Sequence, residues 1–228
     1  MDALILADGE APPRESLDGA WPGWDAEVGL VIAADGGARH AAGLGVVIDA
    51  WVGDGDSLDS EAMAALESSG VPMLRSSPHK DESDTELAVR EAIARGATGL
   101  VVVGALGGER VDHALANIGL LAMAELGDRP ATLLDARSRI TLVRAPAAGG
   151  EPAVRPHTGR VGNLVSLLPL GDGVVGVTTR GLRYPLSDEP LPAGPARGLS
   201  NVREREDAVV TVREGLLLVV ESPATLGS

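Results

Sequence analysis

Cysteine, phenylalanine and glutamine are missing from this 228-residue chain, aromatics make up 2% of it, and Asn occurs only at 117, 163 and 201. Without Cys there is no disulfide scaffold and no thiolate-ligated zinc site. With so few rings, the core must be built from Ala, Val, Leu and Ile. Basic residues are also short: 19 Lys and Arg face 33 Asp and Glu, a formal net charge of −14. Such a surface argues against nucleic acid or an anionic membrane as partner, because both select for positive charge. The longest apolar runs, 100–106 and 216–220, fall far below the roughly 20 residues that span a bilayer. No basic segment precedes an apolar run at the N-terminus, so it does not read as a signal peptide. A soluble cytoplasmic protein is expected.

Glycine (30) and proline (15) are plentiful, above the usual levels of about 7% and about 5%, and predict many tight turns. Across residues 1–144, apolar runs at 3–7, 30–34, 46–52, 71–74, 100–104 and 132–134 alternate with helix-like segments at 60–69, 83–95 and 111–126. Short continuous apolar runs suit strands buried on both faces of a parallel sheet. Ser83-Asp84-Thr85-Glu86 has the S-x-x-E spacing of a capping box. The alternation predicts an α/β domain with ligands at the carboxyl ends of its strands. A linker rich in Ala, Pro and Gly is expected over 145–156. Over 157–228 the runs at 164–168, 174–179, 208–212 and 216–220 have no helical companions, which predicts a smaller all-β domain. Arg213-Glu214-Gly215 reads as a hairpin turn.

The common nucleotide signatures fail residue by residue. The only Lys, Lys80, follows Ser76-Ser77-Pro78-His79, which is no P-loop, and Gly53-Asp54-Gly55 has Leu58 where a dinucleotide fingerprint needs its third Gly. Four polar clusters nevertheless fall at expected strand ends. Asp54 and Asp56, flanked by Gly, can converge from one turn onto a hard cation such as Mg²⁺. Read alone they are an Asp-Gly turn with solvated carboxylates. Adding Asp35 and Asp84 at neighbouring strand ends favours metal binding, because four crowded carboxylates repel unless a cation neutralises them. Lys80 is the one Lys beside eighteen Arg, and a compact ammonium serves phosphate as a point charge that guanidinium does not reproduce. Its ordinary reading is a solvated surface cation. Gly107 and Gly108 precede Arg110, Asp112 and His113 at a helix start, where backbone N–H groups can hold an anion. His113 and Asn117 stand four apart on one helix face.

Taken in order, these motifs resemble the thiamine pyrophosphokinase family. The resemblance is carried by Leu4–Glu10, Ala34-Asp35-Gly36-Gly37-Ala38, Gly53-Asp54-Gly55-Asp56-Ser57, Lys80 to Glu86, Gly107-Gly108 to Asp112-His113 with Asn117, Val177 to Leu186, and Gly198-Leu199-Ser200-Asn201. It implies a Rossmann-like parallel-sheet N-terminal domain and a smaller C-terminal β-sandwich. It further implies transfer of the diphosphoryl group of ATP to the hydroxyl of thiamine, in a homodimer with active sites at the subunit interface. By resemblance, Asp54, Asp56 and Asp84 would hold Mg²⁺, with Asp35 supporting the metal or substrate. Lys80 and Arg110 would hold phosphate oxygens, Gly107 and Gly108 would approach the nucleotide, and Asp112 and His113 would contact nucleotide or phosphates. Ser200 and Asn201 would recognise the aminopyrimidine. Alternative readings are a pyrophosphokinase acting on a pterin alcohol and a non-catalytic nucleotide or thiamine-diphosphate sensor.

Overall fold

Mostly uninterrupted apolar runs of three to seven residues are long enough for strands and too short for buried helices, and they build the first unit as a layered α/β structure. The computed structural model describes residues 1–77, 79–146 and 149–224. It divides into Met1–Ala136 and Arg137–Ser228. That division lies ahead of the boundary expected at 144. Of the linker expected over 145–156, Ala147 and Ala148 lie outside the described residues, and so do 225–228 of the second domain.

The first unit runs β1 (Asp2–Leu6), α1 (Arg14–Ala20), β2 (Val28–Ala34), α2 (His40–Leu44), β3 (Ala50–Gly53), α3 (Ser60–Ser68), β4 (Met73–Arg75), α4 (Asp84–Ala94), β5 (Leu100–Val103), α5 (Val111–Leu120) and β6 (Ala131–Leu134). Its strands lie in the order β4-β3-β2-β1-β5-β6, and every neighbouring pair is parallel. Leu4 and Leu6 join a core with Leu17 of α1, Ala41 and Leu44 of α2, and Trp51. Ala3 and Ile5 are equally buried and, by strand alternation, face the other side. The chain order reverses between β1 and β5, and such a switch point opens a crevice at the carboxyl ends of the strands.

Several local outcomes differ from the sequence pattern for physical reasons. Helices α1 and α2 have seven and five residues, too few turns for a 3.6-residue repeat to show. The strand expected at 46–52 is confined to Ala50–Gly53; ahead of it the Asp49 carboxylate accepts from the Val31 backbone at 2.8 Å. Helix α5 stops at Leu120 rather than 126, and a separate 3-10 turn covers Ala124–Leu126. At α4 the Ser83 hydroxyl accepts from the Glu86 N–H at 3.1 Å, the cap its spacing predicts.

The second unit contains β7 (Arg139–Arg144), β8 (Ala153–Thr158), β9 (Leu164–Arg180), β10 (Glu189–Pro192), β11 (Asn201–Val202), β12 (Asp207–Val212) and β13 (Glu214–Ser222). All its pairings are antiparallel: β13 lies between β7 and β9, β12 lies between β8 and β9, and β10 and β11 add to β9. Residues from β7, β9, β12 and β13 share one apolar core. Strand β8 begins inside the expected linker. The runs at 164–168 and 174–179 are one strand of 17 residues, bent where Gly171, Gly173 and Gly176 take positive φ of 97°, 134° and 70°. The hairpin expected at Arg213-Glu214-Gly215 is instead a corner, because β12 and β13 pair with different stretches of β9 and not with each other.

His157, on β8, is largely buried, and its Nε2 has no hydrogen-bond partner among the described residues. Burial, with help from Arg139 and Arg203, pushes its pKa down from 6.5 to about 4. A depressed folded-state pKa means the unfolded chain binds the proton first as pH falls. The resulting stability is present above pH 6.5 and is lost as pH drops through about 4. Urea midpoints measured over that window should fall with pH, and His157→Gln should flatten the slope.

Candidate active site

The carboxyl ends of β2, β3 and β4 deliver the acidic residues. Asp35 follows β2 directly and is 2% exposed. Its backbone is held at φ +44°, left-handed for a residue that is not Gly. Three bonds hold it there: Gly55 N–H donates to Oδ1 at 3.1 Å, Ser57 N–H donates to Oδ2 at 3.2 Å, and the buried Trp51 indole donates to its carbonyl at 3.0 Å. A strained backbone of this kind costs about 1–3 kcal/mol, and bonds to a charged acceptor contribute about 1.5–3 kcal/mol each, so the bonds prevail. The two glycines that follow are required by space. A Cβ on Gly36 would lie 2.0 Å from Asp8 Oδ1, and one on Gly37 would lie 2.0 Å from the Leu6 carbonyl.

Asp35 thereby shapes the loop that carries Asp54 and Asp56. One oxygen from each of Asp35, Asp54 and Asp56 can be chosen so that all lie within 4.8 Å of one another. An all-carboxylate donor set at this spacing fits a hard divalent cation such as Mg²⁺. Asp84, in the first turn of α4, is engaged differently. Lys80 Nζ donates to Asp84 Oδ1 at 2.7 Å and to Ser76 Oγ at 2.9 Å, and lies 4.0 Å from Asp54 Oδ2. The Lys80 and Asp54 side chains are only 13% and 15% exposed. Lys80 is thus no solvated surface cation: it neutralises Asp54 and Asp84 from within the fold. Ser76, unremarkable in sequence, completes this contact; its position just beyond β4 is the only signal that points to it.

The glycine-rich segment after β5 packs against the end of β1. A Cβ on Gly9 would meet the carbonyls of Gly104 and Gly107 at 2.3 and 2.5 Å, and one on Gly107 would meet the Glu10 carbonyl at 2.7 Å. Gly108 has φ +106°. Buried Asn117 donates to the Ala105 carbonyl at 2.9 Å, so it braces this loop instead of sharing a ligand with exposed His113. Arg110 and Asp112 form a two-bond pair at 2.9 and 2.6 Å in the open. The Arg110 hydrogen bond holds the Asp112 carboxyl down to about pKa 2. At the end of β1, the Arg39 guanidinium lies 2.6 Å from Asp8 Oδ1, and His40 Nε2 lies 2.7 Å from the Gly9 carbonyl. Burial lowers the His40 pKa. Sequence spacing did not single out Arg39 or His40.

In the second unit, Ser200 has φ +57° and its N–H donates to Ser166 Oγ at 3.1 Å. Asn201 is buried. Its Oδ1 accepts from the N–H groups of Tyr184 at 3.0 Å and Val202 at 2.9 Å, and its Nδ2 donates to the Tyr184 carbonyl at 2.7 Å. Most of its hydrogen-bonding capacity therefore goes to holding Tyr184, a residue that stays 63% exposed.

A parallel α/β unit that gathers carboxylates, one ammonium and a glycine-rich loop at its strand ends, in one chain with an antiparallel β unit, has the chemistry that a phosphoryl-group transferase needs. Sequence models of the thiamin pyrophosphokinase catalytic domain and of its vitamin B1 binding domain match residues 24–131 and 154–217. The chain belongs to the thiamin pyrophosphokinase family. It is 24% identical over 200 residues to the thiamine pyrophosphokinase of Bacillus subtilis strain 168, covering 88% of this chain and 90% of that protein. The crystal structure of thiamine pyrophosphokinase from Bacillus subtilis superposes with a TM-score of 0.80 at 21% identity, over 98% of this chain and 99% of the other. That of a thiamin pyrophosphokinase family protein from Enterococcus faecalis gives 0.78 at 26% identity, over 97% and 99%. As a member of this family the protein is a transferase that uses ATP to convert thiamine to thiamine diphosphate. The pterin-alcohol and sensor readings are not favoured. No helix among the described residues is long and apolar enough to cross a membrane.

The carboxylate cluster makes a direct prediction. Calorimetric titration of the unmutated protein with Mg²⁺ should show binding, and Asp54→Asn or Asp56→Asn should weaken it by about tenfold or more, since each removes a charged oxygen ligand. Unaltered binding in both variants would move the cation elsewhere.

Proposed function

We propose that diphosphoryl transfer from ATP to the thiamine hydroxyl, releasing AMP, is carried by the strand-end residues of the first unit, with thiamine recognised by the second. The observation that carries this reading is the Lys80 ammonium held between Asp54 and Asp84, a preformed meeting place for cation and anionic oxygen. Asp54 and Asp56 would hold Mg²⁺ together with Asp84, which must first release Lys80. Asp35, with an oxygen within 4.8 Å of one from each of Asp54 and Asp56, would support the metal or substrate. Bound there, Mg²⁺ supplies charge neutralisation across the triphosphate. Attack falls on the β-phosphorus, so positioning and electrostatics suffice for catalysis. Lys80 and Arg110 hold phosphate oxygens; Arg110 must exchange its Asp112 partner to do so. The Gly107–Gly108 backbone approaches the nucleotide at the switch point, and Asp112 and His113 contact the nucleotide or its phosphates.

Ser200 and Asn201 mark the thiamine segment. Asn201 acts largely through Tyr184, an exposed residue whose ring offers a flat face to the aminopyrimidine. The first unit is read as Rossmann-like from its parallel sheet and switch point, and the second as a β-sandwich from its antiparallel strands over one core. We read the working form as a homodimer with active sites at the subunit interface. Exposed Val111 and Leu115, one turn apart on α5 at 70% and 64%, are apolar surface of the kind that marks contact sites. The cytoplasm is its expected location.

Incubation with ATP, Mg²⁺ and thiamine should yield AMP and thiamine diphosphate in equal amounts; ADP, or no turnover, would refute the assignment. Lys80→Arg keeps the charge and changes its shape. It should lower kcat/KM at least about tenfold, or about 1.4 kcal/mol of transition-state stabilisation, with circular dichroism unchanged.

A further inference from the structure

Within the second unit, a charged pair is buried where an apolar one would serve stability as well. The side chains of Arg203 and Glu221 are 0% and 2% exposed. Arg203 Nε and Nη2 donate to the two Glu221 oxygens at 3.0 and 3.1 Å, while Nη1 donates to the carbonyls of His157 at 2.7 Å and Glu206 at 3.1 Å. Glu221 also accepts from Asn163 Nδ2 at 2.9 Å and from Arg139 at 2.6 Å, so its lone-pair sites are filled. Although burial favours the neutral acid, Arg139, Asn163 and Arg203 together hold the Glu221 carboxyl below its usual pKa. Removing two charges from water costs several kcal/mol per ion, and well-packed apolar replacements of such pairs are often as stable or more so. The pair therefore calls for an explanation other than stability.

Its place in the chain supplies one. Glu221 lies on β13, which is hydrogen-bonded on both sides, by β7 and β9. Arg203 comes directly after β11, a two-residue strand that meets β9 only at Val165 and Leu164. Strand β11 is Asn201–Val202, next to Ser200 with its positive φ. The Arg203 backbone bonds Asn163 and Gly162, and the Arg183 N–H donates to the Val202 carbonyl at 2.9 Å. A two-residue strand is thus tied through the side chain of its neighbour Arg203 to a nine-residue strand paired on both sides, and Asn201 passes that restraint to Tyr184.

We infer that Arg203 and Glu221 are positioning residues that lock the Ser200–Asn201 segment, and through it Tyr184, in the geometry that receives thiamine. The inference rests on the assignment of thiamine to this segment. Neither residue touches the substrate; the rigidity of the two-bond pair sets the placement of the groups that do.

Steady-state kinetics with each substrate varied separately test this. Arg203→Met combined with Glu221→Leu should fold, raise KM for thiamine by about tenfold or more, and leave KM for ATP within about twofold of the unmutated protein. Arg203→Lys keeps the charge without the two-bond fork, and should raise the thiamine KM by a smaller factor. It decides the question if the double variant does not fold. Unaltered thiamine KM in a folded variant, or equal loss for both substrates, would overturn the inference. Tyr184→Ala separates the two levels. If it raises thiamine KM while the Arg203 variants do not, only the positioning role fails. If Tyr184→Ala leaves thiamine KM unaltered, the segment assignment fails and the positioning role with it.

Discussion

A single buried carboxylate organises the acidic site. Asp35 sits at the end of β2, yet the atoms it binds belong to the loop after β3, twenty and twenty-two residues later. Its carboxylate oxygens accept from two backbone N–H groups of that loop, and its carbonyl accepts from the Trp51 indole. Without these bonds Asp54 and Asp56 would sit on an unrestrained glycine-containing turn, and their carboxylates would move apart to relieve repulsion. The left-handed backbone at Asp35 and the space-limited glycines beside it are what this arrangement requires.

Charge is balanced locally in this protein, not globally. The chain is strongly acidic as a whole, but its one Lys lies among the carboxylates of the α/β unit, largely screened from water. A Lys at that point gives a movable ammonium on a flexible stem, suited to exchange a carboxylate for a phosphate oxygen. The Arg110–Asp112 pair, exposed on both sides, is held far more loosely, because surface ion pairs contribute little. Two cations proposed for one nucleotide are thus held in opposite ways, one largely shielded and one in solvent.

Much of the α/β unit was legible from composition and punctuation. Apolar runs ending in Asp and Gly marked strand ends, and Ser83 with Glu86 marked the start of α4, because these signals act within a few residues. What escaped was non-local. Asn201 and Tyr184 are 17 residues apart, and Arg203 and Glu221 are 18 apart; only strand pairing brings them together, and no spacing encodes it. The resemblance implies a substrate role for Asn201; what no spacing showed is that its amide also bonds the backbone of Tyr184 and Val202. The second unit was misread at β9 for a related reason: its glycines look like a turn and are a bend in a continuing strand.

That bend has a consequence for how the β unit comes apart. One backbone, Leu164–Arg180, supplies ladder hydrogen bonds to β13 at one end, to β12 at the other and to β10 near the middle. Opening either group of strands therefore strips partners from a chain segment the other group also uses. The unit has no seam along which half could melt while half persists, which is the condition for a single cooperative foldon. Amide exchange along β9 would then report global opening, and the short strand bearing Asn201 would share the fate of the longest strand in the molecule.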